Sequence, residues 1–313
     1  MFLASKLENI LRKKSKLCKF NFQQRSDTRK LKMKYSNKNT WQIVGPILAS
    51  ALSLFISTLI LQWIGSLLFT DFYLLSRGGI GKIAFSVMVF VQIILLFSTQ
   101  SKSFVESFLQ NTILFFKNKK WITPFCKLFC LFFFAHALFI VFLYTQNILV
   151  WNQMLAAISS GTILKTAVAF IAVFTLAWSE EAIFRGGIFA YFAQHLSSYS
   201  AAFITSLIFM FSHRLETPWT LITSEWKLGL GLFLLGLMLN LIFITTKQLW
   251  YGMGSHAGLV GVKVFLRKIP FLIPATSTPF WFHDDLRQSL LVHCFFAGIC
   301  LFLIIRYRKN SQG

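Results

Sequence analysis

Two carboxylates and one guanidinium lie close together in an otherwise apolar segment, WSEEAIFRG at 178–186. Glu181 and Arg185 are four residues apart, so on a helix they share one face and can form an ion pair. Successive helical residues point about 100° apart, so we expect Glu180 to face a different partner from Glu181. An unpaired carboxylate in an apolar site holds its proton more tightly than in water, which suits a general base. The alternative is structural, with the three charges only locking two helices together.

Two histidines in later apolar segments are further candidates for chemistry. His213 ends the run FMFSHR, where the alternative is a surface or helix-capping residue. His256 lies in GMGSHAG, among glycines that allow neighbouring helices to approach closely. We therefore expect its ring to face protein rather than lipid. The remaining histidines are interpreted as packing, interface or loop residues: His136, His195, His283 and His293.

The composition indicates that membrane spans carry these residues. Of the 313 residues, 56% are hydrophobic and 13% are charged, too few polar residues for a soluble protein of this length. The formal net charge is +21, but the basic residues lie between apolar segments, mostly on alternate sides. That distribution sets topology in a bilayer, so we predict a lipid environment and no nucleic acid partner. The five cysteines are odd in number and indicate no disulfide framework.

The predicted fold class is all-α, a polytopic transmembrane helix bundle of about eight spans. The spans are predicted at 41–70, 83–101, 128–150, 166–192, 201–213, 228–246, 249–266 and 288–305. The first forty residues carry 12 of the 31 Lys and Arg residues, so we place this tail in the cytoplasm. With it there, 21 basic residues lie on the cytoplasmic side and 8 on the other, which predicts both termini cytoplasmic. The predicted organisation is a basic tail at 1–40, a transmembrane domain at 41–306 whose core at about 165–267 holds the charged and histidine residues described above, and a short tail at 307–313.

Ionisable groups inside a span cost about 2.5–3.5 kcal/mol each, so they are functional candidates by default. Three motifs that contain them occur in order on separate predicted spans. They are Glu-Glu-xxx-Arg at 180–185, Phe-xxx-His at 209–213, and a histidine at 256 that follows Leu-Trp and small residues. Together they resemble the CPBP intramembrane protease family, which includes the CAAX prenyl endopeptidases and proteins described as bacteriocin-processing or abortive-infection proteases. The resemblance covers about 172–264.

The resemblance implies a role for each of these side chains. Glu180 matches the catalytic carboxylate, with Glu181 and Arg185 as its supporting pair, and His213 and His256 match the histidines of the second and third motifs. Glu180 would activate a water, His213 would hold and polarise it, and His256 would face the developing oxyanion. In the alternative mechanism, Glu180, His213 and His256 bind Zn²⁺ with water as the fourth ligand.

One position departs from the family pattern. The family has Asn or Asp four residues after the third-motif histidine, and this chain has Val260 there. Valine can neither donate a hydrogen bond nor bind a metal, so another group would have to supply the oxyanion contact. Lys263, Asn240 and Ser255 are the substitutes that the sequence offers.

The function expected from the resemblance is a membrane-embedded endopeptidase, a metal- or glutamate-dependent hydrolase. Its substrate would be a membrane-associated or lipidated peptide or protein, and its location a bacterial plasma membrane or an equivalent internal membrane. One alternative is a catalytically impaired relative that acts as a partner-binding or immunity-type membrane protein, because of Val260. Another is a transporter that uses Glu180 and Glu181 as proton carriers.

Overall fold

The computed structural model describes residues 121–153, 160–214 and 217–312, and these are mostly helical. The α-helices are α1 (Ile122–Thr145), α2 (Ser160–Glu181), α3 (Ala190–His195), α4 (Ser198–Ser212), α5 (Trp226–Thr246), α6 (Leu249–Lys268) and α7 (Leu290–Gln312). A π-helical segment, Ala182–Phe189, joins α2 to α3. Single 3-10 turns lie at Pro218–Leu221 and Leu286–Gln288, and two short strands are β1 (Leu149–Trp151) and β2 (Leu272–Pro274).

Four helical stretches in the described ranges are long and apolar enough to cross a membrane. They are Ile122–Thr145, Ser160–His195, Trp226–Thr246 and Leu290–Lys309. The segment predicted as a span at 201–213 forms the shorter apolar helix α4, and the one at 249–266 forms α6. The spans predicted at 41–70 and 83–101 and the tail at 1–40 lie outside the described residues. The helical fold class and four candidate membrane spans are thus confirmed, while the total of about eight spans and the cytoplasmic termini stay predictions.

Helix α5 occupies the centre of the described bundle. In its most apolar stretch 67% of the residues are buried, against 17–22% in the other three candidate spans. The largest buried core cluster includes Phe209 of α4 together with Met238, Leu239 and Leu241 of α5. The outward faces of α1, α2 and α7 carry exposed Leu, Ile and Phe side chains, as expected for helices that meet lipid.

Helices α1 and α6 approach each other along a stripe of glycines. A Cβ on Gly254 would collide with the carbonyl oxygen of Phe125, and one on Gly258 would lie 2.6 Å from that of Phe129. Only glycine allows the two backbones to come this close. The expectation that His256, between these glycines, faces protein is confirmed, because its side chain is buried.

A small antiparallel sheet was not part of the all-α prediction. Strand β1 pairs with β2, with Leu149 opposite Pro274 and Trp151 opposite Leu272. The span predicted at 128–150 therefore starts earlier as a helix, at Ile122, and ends at Thr145. The sheet ties the end of α1 to the segment that follows α6.

Candidate functional site

The backbone widens into a π-helix immediately after the two glutamates. Residues Ala182–Phe189 form this segment inside an otherwise continuous helical stretch, Ser160–His195. Such π-helical turns are rare in proteins, and many of those that occur lie at functional sites. The apolar pattern of this segment did not predict it. The adjacent Gly186 and Gly187 are the signal that could have indicated a helix irregularity, because glycine is a poor helix former.

Arg185 is buried at the centre of the site and has three contacts. Its Nη1 donates to Oε1 of Glu181 at 3.1 Å, and its Nη2 donates to the carbonyl oxygen of Gly236 in α5 at 3.1 Å. Its guanidinium carbon lies 5.2 Å from the centre of the Phe209 ring. The predicted ion pair is therefore present and fully buried. Arg185 also connects the π-helical segment to α4 and α5. The three charges therefore hold helices together, as the structural alternative predicted.

The expectation that Glu180 and Glu181 face different partners is wrong. His256 lies next to both: its Nε2 is 3.7 Å from Oε2 of Glu180, and its Nδ1 is 3.4 Å from Oε1 of Glu181. The 100° between the two Cα–Cβ directions is overcome because glutamate side chains are long and an imidazole presents nitrogens on two edges. The ring therefore stands between the carboxylates, at distances slightly longer than ordinary hydrogen bonds.

Close approach of α6 to the glutamates depends on Gly252. A Cβ at this position would lie 2.5 Å from Oε2 of Glu181 and 3.3 Å from its Cδ. Helix α6 can therefore bring His256, one turn further along, up to the carboxylates only because residue 252 has no side chain.

His213 lies at the end of α4, on the same side of the bundle as the other candidates. Its Nδ1 is 2.8 Å from the carbonyl oxygen of Phe209, which can only accept, so Nδ1 carries the hydrogen. In the neutral ring Nε2 is then an acceptor. The ring packs on Phe209, 4.6 Å between centres, and Phe209 also contacts His256 at 6.4 Å. Phe209 thus touches both histidines, and His256 lies 3.7 Å from Glu180, so the structure brings the predicted site residues into one region.

His213 also fits the capping interpretation in part, because it is the residue that ends α4.

The histidines interpreted as packing or loop residues have backbone partners. His136 Nδ1 donates to Leu259 O, His293 Nε2 donates to Arg287 O, and His283 Nδ1 accepts from the amide of Asp285. His195 packs edge-on against Tyr191.

Val260 and its three possible substitutes contact groups other than the predicted catalytic residues. Val260 packs against an apolar cluster that includes Phe125, Val173 and Ala177. Each substitute has its own hydrogen bond: Asn240 Nδ2 to Ala202 O and Ser206 Oγ, Ser255 Oγ to Tyr251 O, and Lys263 Nζ to Asp285 Oδ1.

The predicted zinc ligands Glu180, His213 and His256 are not grouped as a three-residue cluster among the described residues. In the part of the chain that the structure describes, no group of three or more His, Cys, Asp or Glu side chains is arranged to hold a metal ion. His256 faces carboxylates at both nitrogens, and His213 uses Nδ1 for a backbone carbonyl. Zinc binding by these three residues stays a prediction.

The family comparison covers the segment that contains the site. Residues 162–262 match the Rce1-like family, described as type II CAAX prenyl endopeptidase Rce1-like. This range contains all five predicted site residues and most of the stretch that carries the resemblance, so the predicted resemblance is confirmed. No curated protein and no solved structure gives a match to the chain.

Proposed function

We propose that this membrane protein is an endopeptidase of the CAAX-protease type, acting on a membrane-associated or lipidated substrate. The observation that carries the proposal is the position of His256 between Glu180 and Glu181, within a segment that matches a protease family. A bacterial plasma membrane, or an equivalent internal membrane, is the proposed location.

Glu180 is the proposed general base. Its side chain is 19% exposed, whereas that of Glu181 is 1% exposed, so Glu180 is the carboxylate that a water can reach. Its Oε2, which lies 3.7 Å from His256, is itself buried and receives no hydrogen bond from the described protein groups, so water would reach the carboxylate at its other oxygen. A water between Glu180 and the Nε2 of neutral His213 would be oriented by both, with its proton directed at the carboxylate.

The reaction follows ordinary acid–base chemistry of peptide hydrolysis. Water adds to the carbonyl carbon of the substrate while its proton passes to Glu180. The C–N bond then breaks, and Glu180 returns the proton to the departing amine, which leaves a carboxylic acid and an amine. His256, with Nδ1 3.4 Å from Glu181 and Nε2 3.7 Å from Glu180, would turn an Nε2–H from Glu180 to the oxyanion.

Glu181 and Arg185 are proposed as positioning residues. Neither side chain has appreciable exposure, and Arg185 holds Oε1 of Glu181, the same oxygen that approaches His256. Arg185 thereby keeps the Glu181 carboxylate in one position, and this carboxylate orients the imidazole of His256.

The alternative is an impaired relative that binds a partner without cleaving it. The observation in its favour is that Val260 packs into an apolar cluster, while Asn240 and Ser255 are hydrogen-bonded to helix backbones. In that case the oxyanion would have His256 as its one donor from these motifs.

The test is cleavage of a panel of farnesylated and unmodified C-terminal peptides by the purified protein in neutral detergent. We expect Glu180→Gln to lower kcat by at least about 10²-fold, the usual contribution of a general base, and His213→Ala to lower it as well. Glu225→Gln is the matched control, because Glu225 is a partly exposed acid paired with Arg214 at the end of the bundle. A parallel assay with a chelator tests the zinc alternative. Equal cleavage by wild type and Glu180→Gln would remove the proposed function, and no cleavage of any peptide would favour the partner-binding alternative.

A further inference from the structure

A charged cluster lies in the segment between α6 and α7. Asp285 receives a bidentate contact from Arg287, with Nη2 to Oδ2 at 2.6 Å and Nε to Oδ1 at 3.0 Å. Lys263 of α6 donates to the same Oδ1 at 2.9 Å. Asp284, next to it in the chain, is solvent-exposed. The hydrogen-bonded cluster thus contains two cations and one anion, and it carries a net positive charge.

The backbone of Arg287 is fixed against the bundle. Its carbonyl oxygen accepts a hydrogen bond from Nε2 of buried His293 at 2.8 Å. The same carbonyl packs directly on Gly231 of α5, where a Cβ would collide with it. The position of Arg287 is therefore set by two helices, although the residue belongs to a short 3-10 turn.

The packing of α4 on α5 places this cluster at the level of the candidate site. The Phe209 ring lies 3.1 Å from the point where a Cβ on Gly236 would be. His213 lies four residues, roughly 6 Å, beyond Phe209 in α4, and Gly231 lies five residues, roughly 7.5 Å, before Gly236 in α5. Asn240 of α5 donates to Ala202 near the start of α4, while Gly236 packs on Phe209 further along it, so the two helices run antiparallel. Both displacements therefore point towards the same end of the bundle. Because the Arg287 carbonyl packs on Gly231, Arg287 and His213 lie at similar depth in the bundle.

The guanidinium of Arg287 retains donors for a ligand. Its side chain is 35% exposed, and Nε and Nη2 make its contacts with Asp285, so Nη1 has no hydrogen bond among the described residues. Burial opposes ionisation of Asp285, but the hydrogen bonds and charges of Arg287 and Lys263 outweigh it and hold the pKa of this carboxyl well below its ordinary value. Asp285 thus stays charged and keeps the guanidinium in place.

We propose that Arg287 is a substrate-binding residue that receives the C-terminal carboxylate of a peptide whose scissile bond lies at the Glu180–His213 site. The inference rests on the proposed function. A CAAX motif ends at the C-terminus of its protein, so a bond cleaved within it lies at most three residues, roughly 10 Å, from the free carboxylate. Arginine suits this task because its planar donors match a carboxylate. The carboxylate would bind the face of the guanidinium that Asp285 leaves open.

The experiment compares two farnesylated Cys-Val-Ile-Met peptides, one with a free carboxylate and one with a C-terminal amide. Wild type, Arg287→Gln, Arg287→Lys and the matched control Arg267→Gln are assayed in neutral detergent, with kcat and KM measured separately. Arg267 is an exposed arginine in the last turn of α6. We expect wild type and Arg267→Gln to prefer the carboxylate by about tenfold in kcat/KM, the scale of one charge-assisted contact. Arg287→Gln should lose this preference through KM, and Arg287→Lys should keep part of it.

Three results would overturn the inference: no preference in wild type, an unchanged preference in Arg287→Gln, or an effect on kcat with KM unaltered. Binding of the fluorescently labelled carboxylate peptide, measured by anisotropy, separates this inference from the proposed function. Wild type that binds the labelled peptide more tightly than Arg287→Gln but cleaves neither peptide would support the carboxylate site and refute the endopeptidase. Equal binding by the two proteins would refute the carboxylate site. Should Arg287→Gln fail to fold, Arg287→Lys decides by the same comparison.

Discussion

Substitution of Gly252 by alanine should disrupt the candidate site without changing any charged residue. The added Cβ would lie 2.5 Å from Oε2 of Glu181, and ordinary contact begins near 3.4 Å, so the carboxylate must move by about 0.9 Å. Its other oxygen is held by Arg185 at 3.1 Å and lies 3.4 Å from His256. A shift of that size, directed away from α6, stretches the contact with His256 most.

The cost of this substitution can be bracketed. Overpacking of a well-packed site typically costs about 1–3 kcal/mol, and a weakened hydrogen bond between charged groups costs about 1.5–3 kcal/mol. The gain from replacing glycine by alanine in a helix is about 0.5–1 kcal/mol. We therefore expect a net loss of roughly 1.5–5.5 kcal/mol in stability. Cleavage should fall by more than tenfold, because about 1.4 kcal/mol of lost transition-state stabilisation already has that effect.

Thermal unfolding in detergent and peptide cleavage together test this expectation. Gly298→Ala in α7 is the matched control, because a Cβ there meets no atom within 4 Å. It should leave both the unfolding temperature and cleavage unchanged or raise the former slightly. The reasoning about α6 and Glu181 would be refuted by a Gly252→Ala protein that is as stable and as active as Gly298→Ala.

Two further predictions concern the ion pairs. Arg185→Met leaves Glu181 buried without its partner and should lower the free energy of unfolding by about 3–5 kcal/mol. The double variant Arg185→Met/Glu181→Gln should recover much of this loss. Equal unfolding temperatures of the single and double variants would contradict this prediction. Asp285→Asn should lower the unfolding temperature at neutral pH. Because the pKa of Asp285 is lowered in the folded protein, its contribution is present above the ordinary carboxyl pKa of about 4 and is lost as the pH falls below it. The difference between wild type and Asp285→Asn should therefore shrink on acidification, and a difference independent of pH would contradict the assignment.

The local features of the site could be predicted because helix geometry alone determines them. Glu181 and Arg185 are four residues apart, so any helix through 178–186 brings them together, and the buried pair is observed. The glycines around His256 likewise indicated a helix that packs closely on a neighbour. The short strand at Leu149–Trp151 was not predictable from periodicity, since three apolar residues at the end of a helix continue its pattern.

The contacts between distant segments could not be predicted. The position of His256 between two carboxylates depends on the rotation of α6, which is set where Gly252 meets Glu181. The hydrogen bond from Arg185 to Gly236 depends on the depth of α5, and no spacing in the sequence encodes that depth. The π-helical segment changes the direction of side chains after Glu181 and has only a pair of glycines as its signal.

By itself the sequence determined that the chain forms apolar membrane helices, which residues could do chemistry, and that Glu181 pairs with Arg185. These properties depend on composition and on spacing within one helix. Only the tertiary structure decided that His256 serves both glutamates, that Val260 lies in an apolar cluster, and that Arg287 is brought level with His213. The physical reason is that the rotation and depth of packed helices result from many side-chain contacts at once, and those contacts exist only in the folded bundle.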